Sequence, residues 1–172
     1  AWEAGKRVHV YVDETRPLLQ GARLTSWELV QDGIPHVVEA DGAAASTILR
    51  GLADVAIIGA DRIAANGDTA NKVGSVVLAL ACQRAGIPFL VAAPSSTVDL
   101  TTASGDDIEI EQRDGSEVLS FAGTRTAPEG VVGFNPAFDV TPHDLISAVV
   151  TELGIVEPAT ALDPRILTGI AG

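Results

Sequence analysis

Residues 54–94 read DVAIIGADRIAANGDTANKVGSVVLALACQRAGIPFLVAAP. An apolar run opens this stretch and another closes it, and between them apolar residues recur at three- and four-residue spacing, which is typical of a helix. The turn residues of Gly86-Ile87-Pro88 mark the end of that helix. A strand, a helix and a strand in this order predict two parallel strands joined by a helical crossover.

The rest of the chain extends the same alternation. Further strands are predicted at RVHVYVDE (7–14) and HVVEA (36–40), and GVVGF (130–134) is expected to resume the sheet or its edge. Helices are expected over residues 16–31 with an irregular entry at Gly21, over 43–52 and 69–85, and from Thr141-Pro142 through Leu153. The acidic, glycine-spaced region 104–128 predicts a loop or hairpin excursion. The sequence therefore predicts an α/β fold with an open, mostly parallel sheet and helices on both faces, as a single domain over residues 1–172.

The composition limits the functions open to the chain. With 23 acidic against 11 basic residues and a net charge of −12, the chain would repel nucleic-acid backbones and anionic membranes, so neither is expected as a partner. Cys82, the only cysteine, excludes an internal disulfide and suits a reducing compartment, and its apolar neighbours predict a buried side chain. We therefore expect a soluble, cytoplasmic protein.

The beginning of the chain predicts a missing segment. Ala1–Gly5 resembles the last turn of a helix closed by a glycine, and a strand is predicted almost at once from Arg7. The chain contains no methionine. We therefore expect the protein to have residues upstream of Ala1.

Polar segments follow the predicted strands, where ligands bind in open parallel sheets. They are residues 13–16 after the first strand, 59–62 after the third and 94–97 after the fourth. Asp61 directly follows AIIG, and burial among isoleucines would raise its pKa and allow proton donation near neutral pH. The alternative is an ion pair with Arg62 or a helix cap, either of which would lower that pKa.

Asn71 and Lys72 are predicted to lie in the first turn of the helix that Thr69 caps. Free backbone N–H groups, the helix dipole and an ammonium together suit a sugar phosphate or an oxyanion. The alternative is a solvent-exposed lysine without a ligand. The sequence lacks metal-ligand spacings, glycine-rich nucleotide motifs and G-x-S-x-G, so no metal or organic cofactor is expected, and Ser95 and Ser96 are expected to bind or cap rather than attack.

Four segments in order resemble the methylthioribose-1-phosphate isomerases: VYVDETRPLLQGARLT (10–25), IIGADRIAANGDTANKVGS (57–75), PFLVAAPSSTVDL (88–100) and FNPAFDVTP (134–142). The resemblance implies a Rossmann-like fold and an aldose–ketose isomerase of methionine salvage that forms a homodimer and uses no metal or cofactor. The wider superfamily also includes ribose-1,5-bisphosphate isomerases and noncatalytic regulatory subunits of the initiation-factor 2B exchange factor, which stay open as alternatives.

The resemblance also assigns roles to four residues of this sequence. By motif, Asp61 matches the family's proton donor, and Gln20, Asn71 and Lys72 match its substrate-binding residues. The family's catalytic cysteine and its arginine-bearing phosphate loop belong to segments upstream of Ala1, and Cys82 does not match that cysteine. The resemblance therefore implies a sugar-phosphate substrate and negligible turnover by this chain alone.

Overall fold

The structure, a computed structural model, describes residues 1–157. Its strands are β1 (Val10–Asp13), β2 (His36–Glu39), β3 (Ala56–Ile58), β4 (Arg62–Ala64), β5 (Thr69–Lys72), β6 (Phe89–Ala92), β7 (Val98–Asp99), β8 (Ser120–Phe121), β9 (Thr124–Arg125), β10 (Phe138–Thr141), β11 (Ala148–Thr151) and β12 (Gly154–Val156). Its helices are α1 (Ser26–Gln31), α2 (Ala44–Leu49), α3 (Ser75–Ala85) and α4 (Ser116–Leu119), with one π-helical turn at Gly21–Thr25 and 3₁₀ turns at Asp41–Ala43, Ser95–Thr97, Gly105–Asp107 and His143–Leu145.

The chain forms two compact units. The first comprises Ala1–Ser46 and Arg113–Asn135, and the second comprises Thr47–Gln112 and the residues from Pro136 onward. The expectation of one domain over residues 1–172 stays a prediction. Within residues 1–157, no helix is long and apolar enough to cross a membrane.

The first unit is built on the parallel pair β1 and β2, which runs in register from Val10 opposite His36 to Asp13 opposite Glu39. Val12 is buried at the centre of β1. The helical turn that follows approaches β1 so closely that a Cβ on Gly21 would collide with the Asp13 carbonyl oxygen. Glycine is therefore required at position 21, the residue that follows Gln20.

The second unit contains two four-stranded sheets. In the first, ordered β12-β11-β6-β3, β3, β6 and β11 are parallel and β12 is an antiparallel edge. Phe89, Val91, Val149 and Cys82 are almost completely buried, which confirms the expectation for the cysteine. The other sheet, ordered β10-β5-β4-β7, is antiparallel except where β4 meets β7.

The four strands predicted from apolar runs are confirmed as β1, β2, β3 and β6. The predicted helices at 16–31 and 43–52 are confirmed in part, because the helical turns run only over residues 21–31 and 41–49. Region 104–128 holds the short hairpin of β8 and β9, as expected. The α/β class with parallel strands is thereby confirmed, whereas the sheet centred on β5 was not anticipated.

The helix predicted over residues 69–85 is wrong in its first part. Thr69–Lys72 is strand β5, paired on one side with β4 and on the other with β10. The helix itself begins only at Ser75, and Gly74, with φ of 111°, separates the strand from α3. Thr69 is therefore a buried strand residue and not a helix cap.

Two predictions near the C-terminal end are also wrong. Instead of a helix through Leu153, a 3₁₀ turn at His143–Leu145 leads into β11, whose Val149 is fully buried between β6 and β12. GVVGF forms no strand, and its Val132 is 92% and its Phe134 79% exposed. Burial within the sheet outweighed helix capping at the first segment, and no strand among residues 1–157 pairs with the second.

Candidate active site

Asp61 lies at an irregularity between β3 and β4. Its N–H donates to the Ala70 carbonyl oxygen at 2.8 Å, although Ala70 already pairs with Arg62 in the ladder. Two residues therefore oppose one, as in a β-bulge, a feature that re-aims side chains and is frequent beside active sites. Asp61 and Arg62 both line an open cleft of about 450 Å³, together with residues 96–101.

The expectation that Asp61 is enclosed by isoleucines is wrong for the described residues. Asp61 is exposed, and Ile57 is itself 63% exposed. The reason is that β3 ends at Ile58 and the chain then turns through Gly59 and Ala60, which carries Asp61 out beyond the sheet. Its carboxyl is therefore open to a ligand in the cleft.

The Arg62 guanidinium is engaged by Asp99, at 2.9 Å from Nη1 to Oδ2. The same carboxylate accepts hydrogen bonds from the Thr101 hydroxyl and backbone N–H and from the Thr102 hydroxyl. These bonds, with Arg62 adding a smaller effect, lower the pKa of Asp99 to about 2. Arg62, the residue after Asp61, is therefore paired with Asp99.

Asn71 is held beside the Asp61 turn. Its Nδ2 donates to Ser75 Oγ at 3.0 Å, and Ser75 Oγ donates to the Lys72 carbonyl oxygen at 2.9 Å. A Cβ on Gly59 would lie 3.9 Å from Asn71 Oδ1, so the amide is close to the turn that carries Asp61. The structure therefore brings Asn71 and the Asp61 turn together, from strand β5 and not from a helix terminus.

Lys72 is the last residue of β5 and lies opposite Phe138 of β10. Its Nζ lies 5.0 Å from the centroid of the Phe138 ring. Among residues 1–157 the ammonium makes no ion pair with a carboxylate. It is a half-buried cation that is free to meet an anionic ligand.

The start of α3 is not the open anion site that the sequence predicted. Asp139 accepts hydrogen bonds from the Gly74 N–H at 2.7 Å and from the Val76 N–H at 3.4 Å. Burial raises the pKa of Asp139, and its bonds to backbone N–H groups oppose that rise. Since Asp139 lies 65 residues after Gly74, no local sequence signal could have revealed this cap.

Gln20 belongs to the first compact unit. Its Oε1 is buried and has no hydrogen-bond partner within the described part of the chain. A buried acceptor without a donor is costly, and a ligand hydroxyl would relieve that cost. This environment suits the substrate-binding role that the motif implies for Gln20, which stays a prediction.

An acidic cluster lies at the end of β1, where the sequence singled out residues 13–16 but not the neighbouring carboxyls of Glu39 and Asp41. Burial, reinforced by the nearby charges of Asp41 and Glu39, raises the pKa of Asp13 to about 7. Asp41 itself accepts the backbone N–H groups of Thr15 at 2.7 Å and Arg16 at 2.6 Å. The signal that could have found it is that parallel strands bring their carboxyl ends, here Asp13 and Glu39, side by side.

Ser95 follows β6 and is engaged within the second unit. Its N–H and its hydroxyl both donate to the carboxylate of Glu152. This arrangement agrees with the expectation that Ser95 binds or caps. Ser96 lines the cleft of Asp61.

The chain is similar in sequence to proteins of one known family. Residues 1–158 match the model of the Initiation factor 2 subunit family. The chain is 59% identical over 158 residues to a methylthioribose-1-phosphate isomerase of Chloroflexus aurantiacus and 56% identical over 158 residues to one of Thermotoga neapolitana, covering 92% of this chain and 46% of each relative. It thus spans about half the length of the curated relatives that it matches. The resemblance read from the four motifs is confirmed.

Solved structures support the same grouping. The 5-methylthioribose 1-phosphate isomerase from Pyrococcus horikoshii OT3 superposes with a TM-score of 0.91 at 46% identity, covering 98% of this chain and 46% of that one. The delta subunit of the translation initiation factor eIF-2B from A. fulgidus also gives a TM-score of 0.91, at 38% identity, covering 97% of this chain and 49% of that one. The Rossmann-like fold is therefore confirmed, and the chain belongs to the Initiation factor 2 subunit family.

Proposed function

We propose that this chain is the C-terminal part of an aldose–ketose isomerase of methionine salvage. The reaction converts S-methyl-5-thioribose 1-phosphate to S-methyl-5-thioribulose 1-phosphate. The observation that carries the proposal is the placement of Asp61 by a β-bulge in an open cleft, with Asn71 beside its turn. Relatives at 56–59% identity that bear this enzyme name support it.

The proposed reaction needs a general acid. A sugar that carries phosphate on its anomeric carbon cannot open simply to the free aldehyde, so ring opening must accompany hydrogen transfer from C2 to C1. Asp61 is the general acid that protonates the ring oxygen or the developing alkoxide, a role worth about 100- to 10,000-fold in rate. Asn71, Lys72 and Gln20 bind the sugar phosphate.

The remaining catalytic groups come from a segment that precedes Ala1 in the whole protein. The family pattern assigns a cysteine and an arginine-bearing phosphate loop to that segment. We therefore propose that this chain alone has negligible turnover and that the whole protein acts in the cytoplasm as a homodimer. No metal or organic cofactor takes part in the proposed reaction.

The test compares the whole protein with its Asp61→Asn variant on methylthioribose 1-phosphate. We expect kcat to fall at least about 100-fold while circular dichroism and the melting temperature stay unchanged. Asp106→Asn is the matched control, because Asp106 is an exposed aspartate of the same unit, and its kcat should stay within about twofold. A loss for Asp61→Asn no larger than the control's removes the acid role.

A noncatalytic regulatory subunit is the second candidate function. The similarity to the A. fulgidus eIF-2B delta subunit favours it, because that structure superposes as well as the isomerase does. The assay therefore also includes ribose 1,5-bisphosphate as a substrate. A folded whole protein inert toward both sugar phosphates supports the regulatory role, and activity on ribose 1,5-bisphosphate alone supports the related isomerase.

A further inference from the structure

Strand β10 lies directly beside the substrate-binding residues of β5. Phe138 pairs with Lys72, and Asp139 pairs with Asn71. Directly opposed residues of an antiparallel pair have Cβ atoms about 5 Å apart, so each β10 side chain is a close neighbour of its partner. Each of the two β10 residues can therefore influence the position of the β5 side chain opposite it.

Phe138 fixes the ammonium of Lys72 without neutralising it. The Nζ atom lies 5.0 Å from the ring centroid, within the range of a cation–π interaction. A carboxylate in that place would cancel the charge. An aromatic face instead attracts the cation and leaves N–H donors of the ammonium free for a phosphate oxygen.

Asp139 stabilises the turn between β5 and α3, to which the Asn71 side chain is anchored. Its half-buried carboxylate binds the backbone N–H groups of Gly74 and Val76 on either side of Ser75. The Ser75 hydroxyl in turn accepts the Asn71 amide and donates to the Lys72 carbonyl. Loss of the Asp139 bonds would release the turn on which the Asn71 side chain is anchored.

We infer that Phe138 and Asp139 are positioning residues for sugar-phosphate binding, with Phe138 holding the Lys72 ammonium and Asp139 holding the Asn71 amide through Ser75. The inference rests on the proposed function, since it assumes that Lys72 and Asn71 contact the substrate. Neither residue of β10 contacts the substrate itself. Their loss therefore weakens binding more than it slows the chemical step.

Phe138 is tested in the whole protein with Phe138→Leu and Phe138→Tyr. Leucine keeps an apolar side chain and removes the π face, and we expect KM to rise about two- to fivefold at unchanged kcat. Tyrosine restores the ring, so its KM should return to the wild-type value. A KM for Phe138→Leu equal to that of Phe138→Tyr overturns the role of the ring.

Asp139 is tested with Asp139→Asn and with Ser75→Ala, which leaves the carboxylate in place and removes the hydroxyl that joins Asn71 to the Lys72 carbonyl oxygen. We expect KM to rise about tenfold and about threefold respectively, with kcat changed less than KM in both. Val140→Ala is the matched control, because Val140 is the next residue of β10 and packs against an apolar cluster. It should lower the melting temperature and leave KM unchanged.

The outcomes separate this inference from the proposed function. If the wild-type protein turns over and Lys72→Ala raises KM, but Phe138→Leu and Asp139→Asn behave like Val140→Ala, the positioning roles are overturned and the isomerase remains. If the wild-type protein is inert, titration with inorganic phosphate, followed by phosphorus NMR, decides. Phosphate binding weakened by Phe138→Leu supports the role of the ring, and binding unaffected by it, or none at all, overturns that role.

Discussion

The carboxyl of Asp13 should make the protein less stable as the pH rises, and Asp13→Asn should remove that effect. Burial, with the charges of Asp41 and Glu39, raises the pKa of Asp13 from 3.8 to about 7 in the folded state. Between these values the folded protein keeps a proton that the unfolded chain loses. The stabilisation is therefore fully present below about pH 4 and is lost as the pH rises through about 7.

The size of the effect follows from the two pKa values. A change from 3.8 to about 7 corresponds to about 4 kcal/mol in the free energy of unfolding. Because Asp13 is only about half-buried, screening by solvent reduces this to about 2 kcal/mol. Asparagine cannot ionise, so Asp13→Asn should be more stable than wild type by about 2 kcal/mol at pH 8 and by less than that at pH 5.

Urea unfolding at pH 5 and pH 8, followed by circular dichroism, measures both free energies. Asp106→Asn serves as the control, since Asp106 is exposed and should give the same difference from wild type at both pH values. An Asp13→Asn variant that is less stable than wild type at pH 8, or whose advantage does not grow from pH 5 to pH 8, would refute the reasoning.

Two other substitutions test the packing of each unit. Burial acts to raise the pKa of Asp68, but hydrogen bonds from Asn66, His143 and Gly105 lower it to about 2. Because solvent screens this partly exposed carboxyl, Asp68→Asn should destabilise the fold by about 1 kcal/mol at pH 7 and progressively less as the pH falls from about 4 toward 2, in urea titrations. Gly21→Ala should cost about 3 kcal/mol by thermal melting because its Cβ meets the Asp13 carbonyl oxygen, whereas Gly42→Ala, with open space around the Cβ, should change stability by less than about 0.5 kcal/mol.

Apolar runs predicted β1 and β6 because the centres of these strands are buried. Val91 of β6 and Val12 of β1 are almost fully buried, and their segments carry that requirement in their own composition. Thr69–Lys72 is different, since only its pairing with β4 and β10 makes it a strand. β4 is its neighbour in sequence, but the pairing with β10 joins residues about 70 positions apart, and no local pattern encodes it.

The placement of the candidate site residues was likewise predicted from the sequence only in part. The position of Asp61 after a strand was sufficient to single it out, whereas its bulge and its exposure depend on a partner strand. Asn71 and Lys72 were singled out together as candidate ligands but placed on a helix, whereas they lie on strand β5. The sequence did not predict the cap that Asp139 provides, because Asp139 is far from α3 along the chain.

That cap changes how an anionic substrate has to be held. With Asp139 bound to the first N–H groups of α3, the helix terminus cannot offer them to a phosphate, so side chains must supply the positive charge. The chain contains only two lysines, Lys6 and Lys72, and carries a net charge of −12. One ammonium on an aromatic ring balances half of the charge of a phosphate dianion. A second cation is needed, and arginine suits phosphate because its guanidinium binds two oxygens at once. An arginine from the upstream segment proposed above would meet this need, so the whole protein should bind inorganic phosphate more tightly than this chain by itself.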